Sequence, residues 1–264
     1  MRQFDAEYLE TTRRGMWDDS RDALADLGLG SRERVLDVGC GTGELTRVLR
    51  EESDAEVVGV DVDPRLLSVA RGVAPVLRAD ATALPVRRDA VDLVVCQALL
   101  INLPDPVSAL REFRRVSRDL VAAVEPDNGA VEVDSTVPAE TDLARRARRR
   151  FLDGVDTDVS LGSAAAELFD AAGLGVVSTR RYDHERTTEP PYSEADVEAA
   201  RRKITGEGLA DDRETMLAGD TDRREYERLR EQWRSMGRDI VDQMGDGEYE
   251  RRETVPFYVT VGRV

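Results

Sequence analysis

Three glycines at alternate positions and two aspartates form the part of this sequence best suited to hold a ligand. The glycines are Gly39, Gly41 and Gly43, and Asp37 precedes them. Glycine permits a backbone with positive φ and lets a ligand approach the main chain closely, and a helix that begins after such a loop offers unpaired N–H groups. Asp61 ends the next apolar run, where its carboxylate could accept hydrogen bonds from the two hydroxyl groups of a ribose.

The spacing of the glycines separates two classes of nucleotide cofactor. A dinucleotide-binding loop has the pattern GxGxxG, in which the third glycine allows the helix to pack closely beside a pyrophosphate. Here Glu44 occupies the position of that third glycine, and a carboxylate at a helix N-terminus would repel a pyrophosphate. The GxxxxGK[ST] pattern of a P-loop does not occur either. A nicotinamide-dependent enzyme is therefore the least favoured interpretation.

The stretch VLDVGCGTGEL (35–45) resembles motif I of the class I S-adenosylmethionine-dependent methyltransferases. GVDVDPRLLSVAR (59–71) is similar to motif II of that family, and RADATALPVRRDAVDLVV (78–95) is similar to the next two motifs. ALREFRRVSRDLVAAVEPD (109–127) resembles the helix, turn and strand that follow, although Arg118 and Asp119 replace the usual Gly-Gly turn. We expect a different turn there and no loss of cofactor binding.

This resemblance implies S-adenosylmethionine as the cofactor. It implies that Asp61 binds the ribose, that Asp80 and Ala81 contact the adenine, and that Gln97 contacts the methionine tail. The expected cofactor-binding residues are Asp37, Gly39, Cys40, Gly41, Gly43, Asp61, Val62, Asp80, Ala81 and Gln97. The N-terminal segment is expected to close over the cofactor through Tyr8, Arg13 or Trp17, and Trp17 has an ordinary place in the core as its alternative.

Three side chains are candidates for catalysis. Transfer of a methyl group from a sulfonium is an in-line displacement, so positioning alone supplies much of the effect, on the order of 7–11 kcal/mol at best. Glu125 and Asp127 follow the fifth predicted strand, at the sheet edge where α/β proteins bind ligands, and the alternative is that both are ordinary loop acids. His184 could act as a base in its neutral form, but its neighbours Asp183 and Glu185 predict an exposed position.

Acidic residues dominate the composition. Asp and Glu total 54 against 38 for Lys and Arg, the net charge is -16, and Lys203 is the single lysine. Because salt screens repulsion between acids, we interpret this as adaptation to the saline cytosol of a halophilic archaeon; a GC-rich genome would explain the arginines but not the acids. The same net negative charge disfavours binding of nucleic acid.

The Arg-rich run 144–151 has two interpretations. It could be a patch that binds an anionic ligand or RNA, and the favoured alternative is a salt-bridged helical face.

Hydropathy and cysteine content predict a cytoplasmic protein. No apolar run is long enough to span a membrane, and the N-terminus has the features of neither a signal peptide nor a transit peptide. Cys40 and Cys96 are expected to be buried thiols, and one histidine with two separated cysteines predicts no metal site. The oligomeric state cannot be read from the sequence.

Strand and helix patterns alternate after residue 30. The strands are expected at 34–38, 56–60, 75–79, 91–96, 120–125, 174–181 and 254–261, and the helices at 44–52, 64–71, 106–116, 138–153, 163–172 and within 193–245. This order, with Val-rich strands, predicts an α/β fold: a doubly wound, seven-stranded, mostly parallel, Rossmann-like sheet with an antiparallel last strand and a helical insertion before it. Residues 1–30 are expected to form a helical lid, and 31–264 the cofactor-binding domain with its insertion at about 190–250.

Three functions remain open at this point. The favoured one is a methyltransferase that acts on a small-molecule acceptor. The second is an RNA or protein methyltransferase with the same cofactor, although aromatic residues make up only 5% of the chain and base stacking needs them. The third is a non-catalytic module that binds S-adenosylmethionine.

Overall fold

The computed structural model describes residue 13, residues 15–18 and residues 20–264 of the chain. The described residues form two compact units. The first comprises those up to Asp127 together with Ser160–Tyr182 and Pro256–Val264, and the second comprises Asn128–Val159 and Asp183–Val255. The domain boundaries expected from the sequence, a lid at 1–30 and an insertion at about 190–250, stay predictions.

Eight strands and nine α-helices occur in the described part of the chain. The strands are β1 (Arg34–Val38), β2 (Glu56–Asp61), β3 (Val76–Arg78), β4 (Val91–Gln97), β5 (Ser117–Pro126), β6 (Glu132–Ser135), β7 (Gly175–Thr188) and β8 (Arg251–Arg263). The helices are α1 (Glu44–Glu51), α2 (Pro64–Ala70), α3 (Pro106–Val116), α4 (Pro138–Leu152), α5 (Ala165–Ala171), α6 (Glu194–Thr205), α7 (Glu207–Asp211), α8 (Arg213–Ala218) and α9 (Arg223–Asp246).

The sheet of the first unit has the predicted α/β architecture. β1 pairs in parallel with β2 on one side and with β4 on the other, β3 joins β2, and β5 joins β4. β8 pairs with β5 in the antiparallel direction, and β7 pairs with β8. The order of the strands reverses between β1 and β4, and ligands of open α/β sheets bind at the carboxyl ends of strands beside such a reversal.

Burial explains the parallel pairing. All seven residues of β4 are buried, as expected for a strand covered by helices on both faces. Local sequence fixes where the covering helices begin: Asp63 caps α2 by accepting from the N–H of Arg65, and Asp105 caps α3 in the same manner. Proline follows each cap at the first helical position, where its missing N–H costs nothing.

The departure at Arg118 and Asp119 changes the turn as expected. α3 passes directly into β5 at Ser117, and the two charged residues lie within the strand. Arg118 pairs with Glu33 over 2.8 Å, and Asp119 pairs with Arg32 over 2.6 Å. Ion pairs therefore tie the start of β5 to the segment that precedes β1.

Residues 1–30 were expected to be helical, and in their described part Arg13 is α-helical while Arg21–Leu27 and Leu29–Ser31 are 3-10 helices. Gly28, with φ +60°, ends the first 3-10 helix. Two other expectations about secondary structure were wrong. β6 was missed, since its four residues bury only Val133 and so carry no clear apolar alternation. β7 extends to Thr188, seven residues beyond its predicted end.

The second unit is mainly helical. α9 is its longest element, capped by Asp222 at the N-terminus and by Gly247 with φ +73° at the C-terminus. Gly237 lets α9 approach α6 closely, because a side chain there would lie 2.6 Å from the main-chain nitrogen of Ile204. β6 pairs with the first part of β8 in the antiparallel direction. No helix among the described residues combines the length and the apolar character needed to cross a bilayer.

Candidate cofactor site

A cavity of about 510 Å³ opens in the first unit at the carboxyl ends of β1, β2 and β4. Its volume lies within the range of pockets that hold small ligands, roughly 300–1,000 Å³. The residues that line it are Arg13, Val38, Gly39, Gly41, Val60, Asp61, Val62, Asp63, Pro64, Arg65, Leu66, Ala79, Asp80, Ala81, Ala98, Leu99, Asn102 and Leu103. Six of the ten residues predicted to bind the cofactor are among them.

The glycine loop is held against the end of β2. The N–H groups of Gly39 and Cys40 both donate to the carbonyl oxygen of Val60, over 2.7 Å and 3.0 Å. Gly39 has φ +74°, and a side chain there would lie 2.9 Å from Leu99 Cδ1. Both the backbone angle and the space therefore require glycine.

The Asp61 carboxylate is oriented by two main-chain donors. Its Oδ2 accepts from the N–H of Gly41 over 3.0 Å, and its Oδ1 accepts from the N–H of Asp63 over 2.9 Å. An ionised carboxylate has about four lone pairs, so each oxygen can accept one further hydrogen bond. Because Asp61 also lines the cavity, its capacity to accept two further hydrogen bonds fits a ligand with two adjacent hydroxyl groups.

Asp80 and its neighbours form another part of the wall. The Asp80 Oδ1 accepts from both the N–H and the hydroxyl of Thr82, over 2.8 Å and 2.7 Å, and these hydrogen bonds lower the pKa of Asp80. Val62, Ala81 and Leu103 add apolar surface to the same cavity. A carboxylate beside an apolar wall is suited to a flat ring that carries an amino group.

Four of the predicted cofactor residues lie off the cavity wall, and their roles stay predictions. Asp37 is buried, and its Oδ2 accepts from the hydroxyl of Thr46 over 2.5 Å. Burial raises the pKa of Asp37 to about 6, although the hydrogen bond from Thr46 lowers it. Cys40 is buried as expected, with its sulfur against Gly59, where a side chain would lie 2.9 Å away. Gly43 adopts φ +91° before α1.

Gln97 is the fourth of these residues and contacts the N-terminal segment. Its Oε1 accepts from Trp17 Nε1 over 3.4 Å, and its Nε2 donates to Met16 Sδ over 2.9 Å. The Trp17 ring lies 5.7 Å from the Tyr182 ring, which stacks on Phe257 at 5.6 Å. Trp17 is thus a buried core aromatic, the alternative that its sequence context left open.

Within the described part of the predicted lid, Arg13 lines the cavity. Burial lowers the pKa of its guanidinium, while the charges of Asp37, Glu44 and Asp61 raise it. A cation in this position offsets part of the negative charge that those acids place around the loop. Tyr8 lies outside the described residues.

Glu125 is fully buried at the end of β5 and does not line the cavity. Its Oε1 accepts from the N–H groups of Leu99 and Leu100, over 3.1 Å and 2.9 Å. Burial raises the pKa of Glu125 to about 7, and the hydrogen bonds from Leu100 and Ile101 oppose that shift. The carboxyl therefore holds the short 3-10 helix Leu100–Asn102, a contact that its sequence neighbours could not reveal.

The other two catalytic candidates lie elsewhere. Asp127 follows β5, and its N–H donates to the carbonyl oxygen of Pro256 over 2.9 Å. His184 belongs to the second unit and is only 4% exposed, so the expectation of an exposed histidine was wrong. The reason is that β7 continues past residue 181 and turns His184 to a buried face. The catalytic roles of Glu125, Asp127 and His184 stay predictions.

Leu99, Asn102 and Leu103 line the cavity but were not predicted as site residues. Asn102 donates from Nδ2 to the carbonyl oxygen of Ala98 over 2.8 Å, and its buried Oδ1 has no partner among the described residues. These residues follow β4, on the side of the sheet reversal opposite Asp61. Their position directly after β4 could have identified them, because the two strands beside a reversal of strand order both end at the ligand site.

No group of three His, Cys, Asp or Glu side chains within the described residues is arranged to hold a metal ion.

Residues 36–120 match the model of a family described as the methyltransferase domain. Over 131 residues the chain is 37% identical to malonyl-[acyl-carrier protein] O-methyltransferase of Halorhodospira halophila, covering 47% of this chain and 44% of that protein. It is 40% identical over 105 residues to demethylmenaquinone methyltransferase of Thermus thermophilus, covering 36% of this chain and 48% of that protein. The chain thus spans less than half the length of these relatives.

The solved structures resemble more of the chain. A putative methyltransferase from Bacillus halodurans superposes with a TM-score of 0.53 and 15% identity, over 93% of this chain and 98% of that one. At such low identity the likeness shows the fold alone. It agrees with the mostly parallel sheet and antiparallel β8 described above.

Proposed function

We propose that this chain, whose residues 36–120 match the methyltransferase-domain family, binds S-adenosylmethionine and transfers its methyl group to a small-molecule acceptor. The observation that carries the proposal is the hydrogen-bonded pair formed by Asp61 and the loop amide of Gly41, both of which line a cavity of about 510 Å³. The free accepting capacity of this carboxylate matches the two hydroxyls of the cofactor's ribose.

The remaining parts of the cavity fit the other parts of the cofactor. Gly39 and Gly41 present bare backbone to the cavity, which suits close approach of the amino-acid and ribose portions. Asp80 can accept a hydrogen bond from the adenine amino group, and Val62 and Ala81 supply apolar surface for the ring. When bound, the cofactor supplies an electrophilic methyl group attached to a sulfonium.

The residues of this chain contribute mainly by positioning. Asp61 and the glycine loop fix the cofactor, which turns a bimolecular encounter into an oriented one. A proton acceptor is needed only for acceptors that lose a proton, and Asp127, which follows β5 in the same unit as the cavity, is proposed for that role. The three main-chain donors around Glu125 favour a structural role for this residue over a catalytic one.

The net charge of the chain and the names of its relatives both support a small-molecule methyl acceptor. A net charge of -16 disfavours the phosphate backbone of a nucleic acid. The names of the two relatives, a demethylmenaquinone methyltransferase and an O-methyltransferase of malonyl-[acyl-carrier protein], describe acceptors that are small molecules or are attached to a carrier. We therefore propose a metabolite before an RNA or a protein.

Cofactor binding is tested with Asp61→Asn, which keeps the shape of the side chain and removes its charge. We expect calorimetry to show at least a tenfold weaker affinity for S-adenosylmethionine, because the amide can no longer accept from both hydroxyls and the two main-chain donors. Asp54→Asn is the matched control, since Asp54 is exposed and lies outside the cavity lining. Equal affinity in the two variants would refute the assignment.

The acceptor class is tested with labelled S-adenosylmethionine and a cell extract separated into metabolites and macromolecules. Label in the metabolite fraction supports the proposal. Label in RNA or protein supports the second interpretation, and tight cofactor binding without any transfer supports a non-catalytic module.

A further inference from the structure

Three arginines surround one buried carboxylate in the second unit. Glu253 is 7% exposed. Arg186 and Arg251 form ion pairs with it, and an Arg148 nitrogen lies 3.8 Å from its Oε1. Burial would raise the pKa of Glu253, but the charges of Arg186 and Arg251 outweigh burial and hold it at about 2. A single negative charge thus faces three guanidinium groups.

The excess of positive charge extends to a second carboxylate. Glu140 is 1% exposed and pairs with Arg251 over 3.2 Å and with Lys203. The cluster therefore contains four cations and two carboxylates, Glu140 and Glu253, for a local charge of +2. Within the described ranges, Arg148, Arg186 and Lys203 form no ion pair outside this cluster. The cluster is thus positively charged, although the whole chain has a net charge of -16.

Two buried nitrogen atoms at the cluster have no hydrogen-bond partner among the described residues, Nε of Arg186 and Nε2 of His184. His184 lies close enough to the cluster for its charges to affect the histidine's pKa. Burial lowers the pKa of His184 most, the charge of Arg186 lowers it further, and the charge of Glu253 raises it. Unpaired buried polar atoms are rare in native proteins, and a bound ion is one way to satisfy them. An anion would both balance the surplus charge and accept a hydrogen bond from the unpaired nitrogen of Arg186.

We propose that Arg148, Arg186 and Arg251 bind an oxyanionic group, a carboxylate or a phosphate, of a small ligand, with His184 beside it. A planar guanidinium binds both groups through paired, charge-assisted hydrogen bonds. The three arginine side chains are 23%, 32% and 19% exposed, so a ligand can reach them from solvent. This site goes beyond the proposed methyl transfer and does not rest on it.

His184 provides a direct reporter because it is the only histidine in the chain. The probes are malonate and inorganic phosphate, with potassium chloride at matched ionic strength as the reference. We expect each binding anion to shift the imidazole signals of His184 saturably in NMR spectra. The bound anion also stabilises the protonated imidazole, so the pKa measured for His184 rises.

Two variants connect the reporter to the arginines. Arg148→Gln and Arg186→Gln are expected to weaken the apparent affinity at least tenfold. Arg145→Gln is the matched control on the same helix, since Arg145 is exposed and pairs only with Asp142 among the described residues. If Arg186→Gln fails to fold, Arg186→Lys keeps the charge but lacks the forked donors, and the same weakening is expected.

The outcomes decide between the possibilities. A saturable shift with malonate alone identifies a carboxylate ligand, and one with phosphate alone identifies a phosphate. The proposal is overturned if neither anion acts differently from chloride, or if the Arg148 and Arg186 variants bind as tightly as the Arg145 control.

Discussion

The Asp61 carboxylate accepts a hydrogen bond from the main-chain N–H of Gly41 over 3.0 Å, so the end of β2 fixes the shape of the loop that follows β1. The two strands are parallel neighbours, with Val38 opposite Val60, and this pairing brings the loop and the carboxylate together. A substitution in the loop is therefore expected to change the orientation of the Asp61 carboxylate. A substitution in the loop or at Asp61 should then weaken cofactor binding.

The first prediction concerns Gly39→Ala. A side chain at φ +74° meets Leu99 Cδ1 at 2.9 Å, so strain of about 1–2 kcal/mol adds to overpacking of about 1–3 kcal/mol. We expect a lower free energy of unfolding in urea and weaker binding of S-adenosylmethionine. Gly30→Ala is the control, because Gly30 has open space around its Cα and no positive φ.

The double variant Gly39→Ala/Leu99→Ala separates the two causes. Truncation of Leu99 removes the clash but leaves the backbone strain, so Gly39→Ala should cost less stability in the Leu99→Ala background than in wild type. A double variant whose losses simply add would show that the contact with Leu99 is not the reason for glycine at this position.

The parts of the site that local sequence encodes were predictable. The glycine loop and Asp61 follow apolar strands, and parallel topology places the ends of such strands at one edge. Glu125 was also placed correctly at that edge, but its three amide contacts come from residues 99–101, which it meets only after folding. His184 was misjudged because its neighbours in the chain are acids, whereas its burial depends on where β7 ends.

The second prediction concerns Glu125→Gln. The folded pKa of Glu125 is about 7, above the unfolded value near 4.5, so the folded state keeps a proton that the unfolded state releases between these values. The wild-type free energy of unfolding should therefore fall as pH rises through this window, by at most about 3 kcal/mol from this group. Glutamine does not titrate, so the variant should lack this part of the fall.

Urea unfolding at pH 5 and pH 8 measures the effect. The stability of wild type relative to Glu125→Gln should decrease between the two pH values. Glu167→Gln is the control, because it makes the same substitution at an exposed position. Identical pH profiles for wild type and Glu125→Gln would contradict the raised pKa.

The third prediction concerns Glu140→Gln. Loss of this buried charge leaves Lys203 without its ion-pair partner and leaves Arg251 with Glu253 alone. Breaking a buried pair by removal of one partner typically costs about 3–5 kcal/mol. Chemical unfolding should show a loss near the lower end of that range, since glutamine can still accept from Tyr249 and Ser135. Glu248→Gln, at an exposed position, should cost little, and equal stability of the two variants would show that the Glu140 pair is not important for the fold.

The fourth prediction concerns salt. A net charge of -16 gives self-repulsion that salt screens, with the Debye length falling from about 10 Å at 0.1 M to about 3 Å at 1 M. The melting temperature should therefore rise with potassium chloride. The variant Glu189→Gln/Glu214→Gln/Glu248→Gln removes three exposed acids that form no ion pair among the described residues. It should be more stable than wild type at low salt and show a smaller rise, because less repulsion remains to be screened. A rise of the same size in both proteins would instead indicate a general effect of salt on apolar burial.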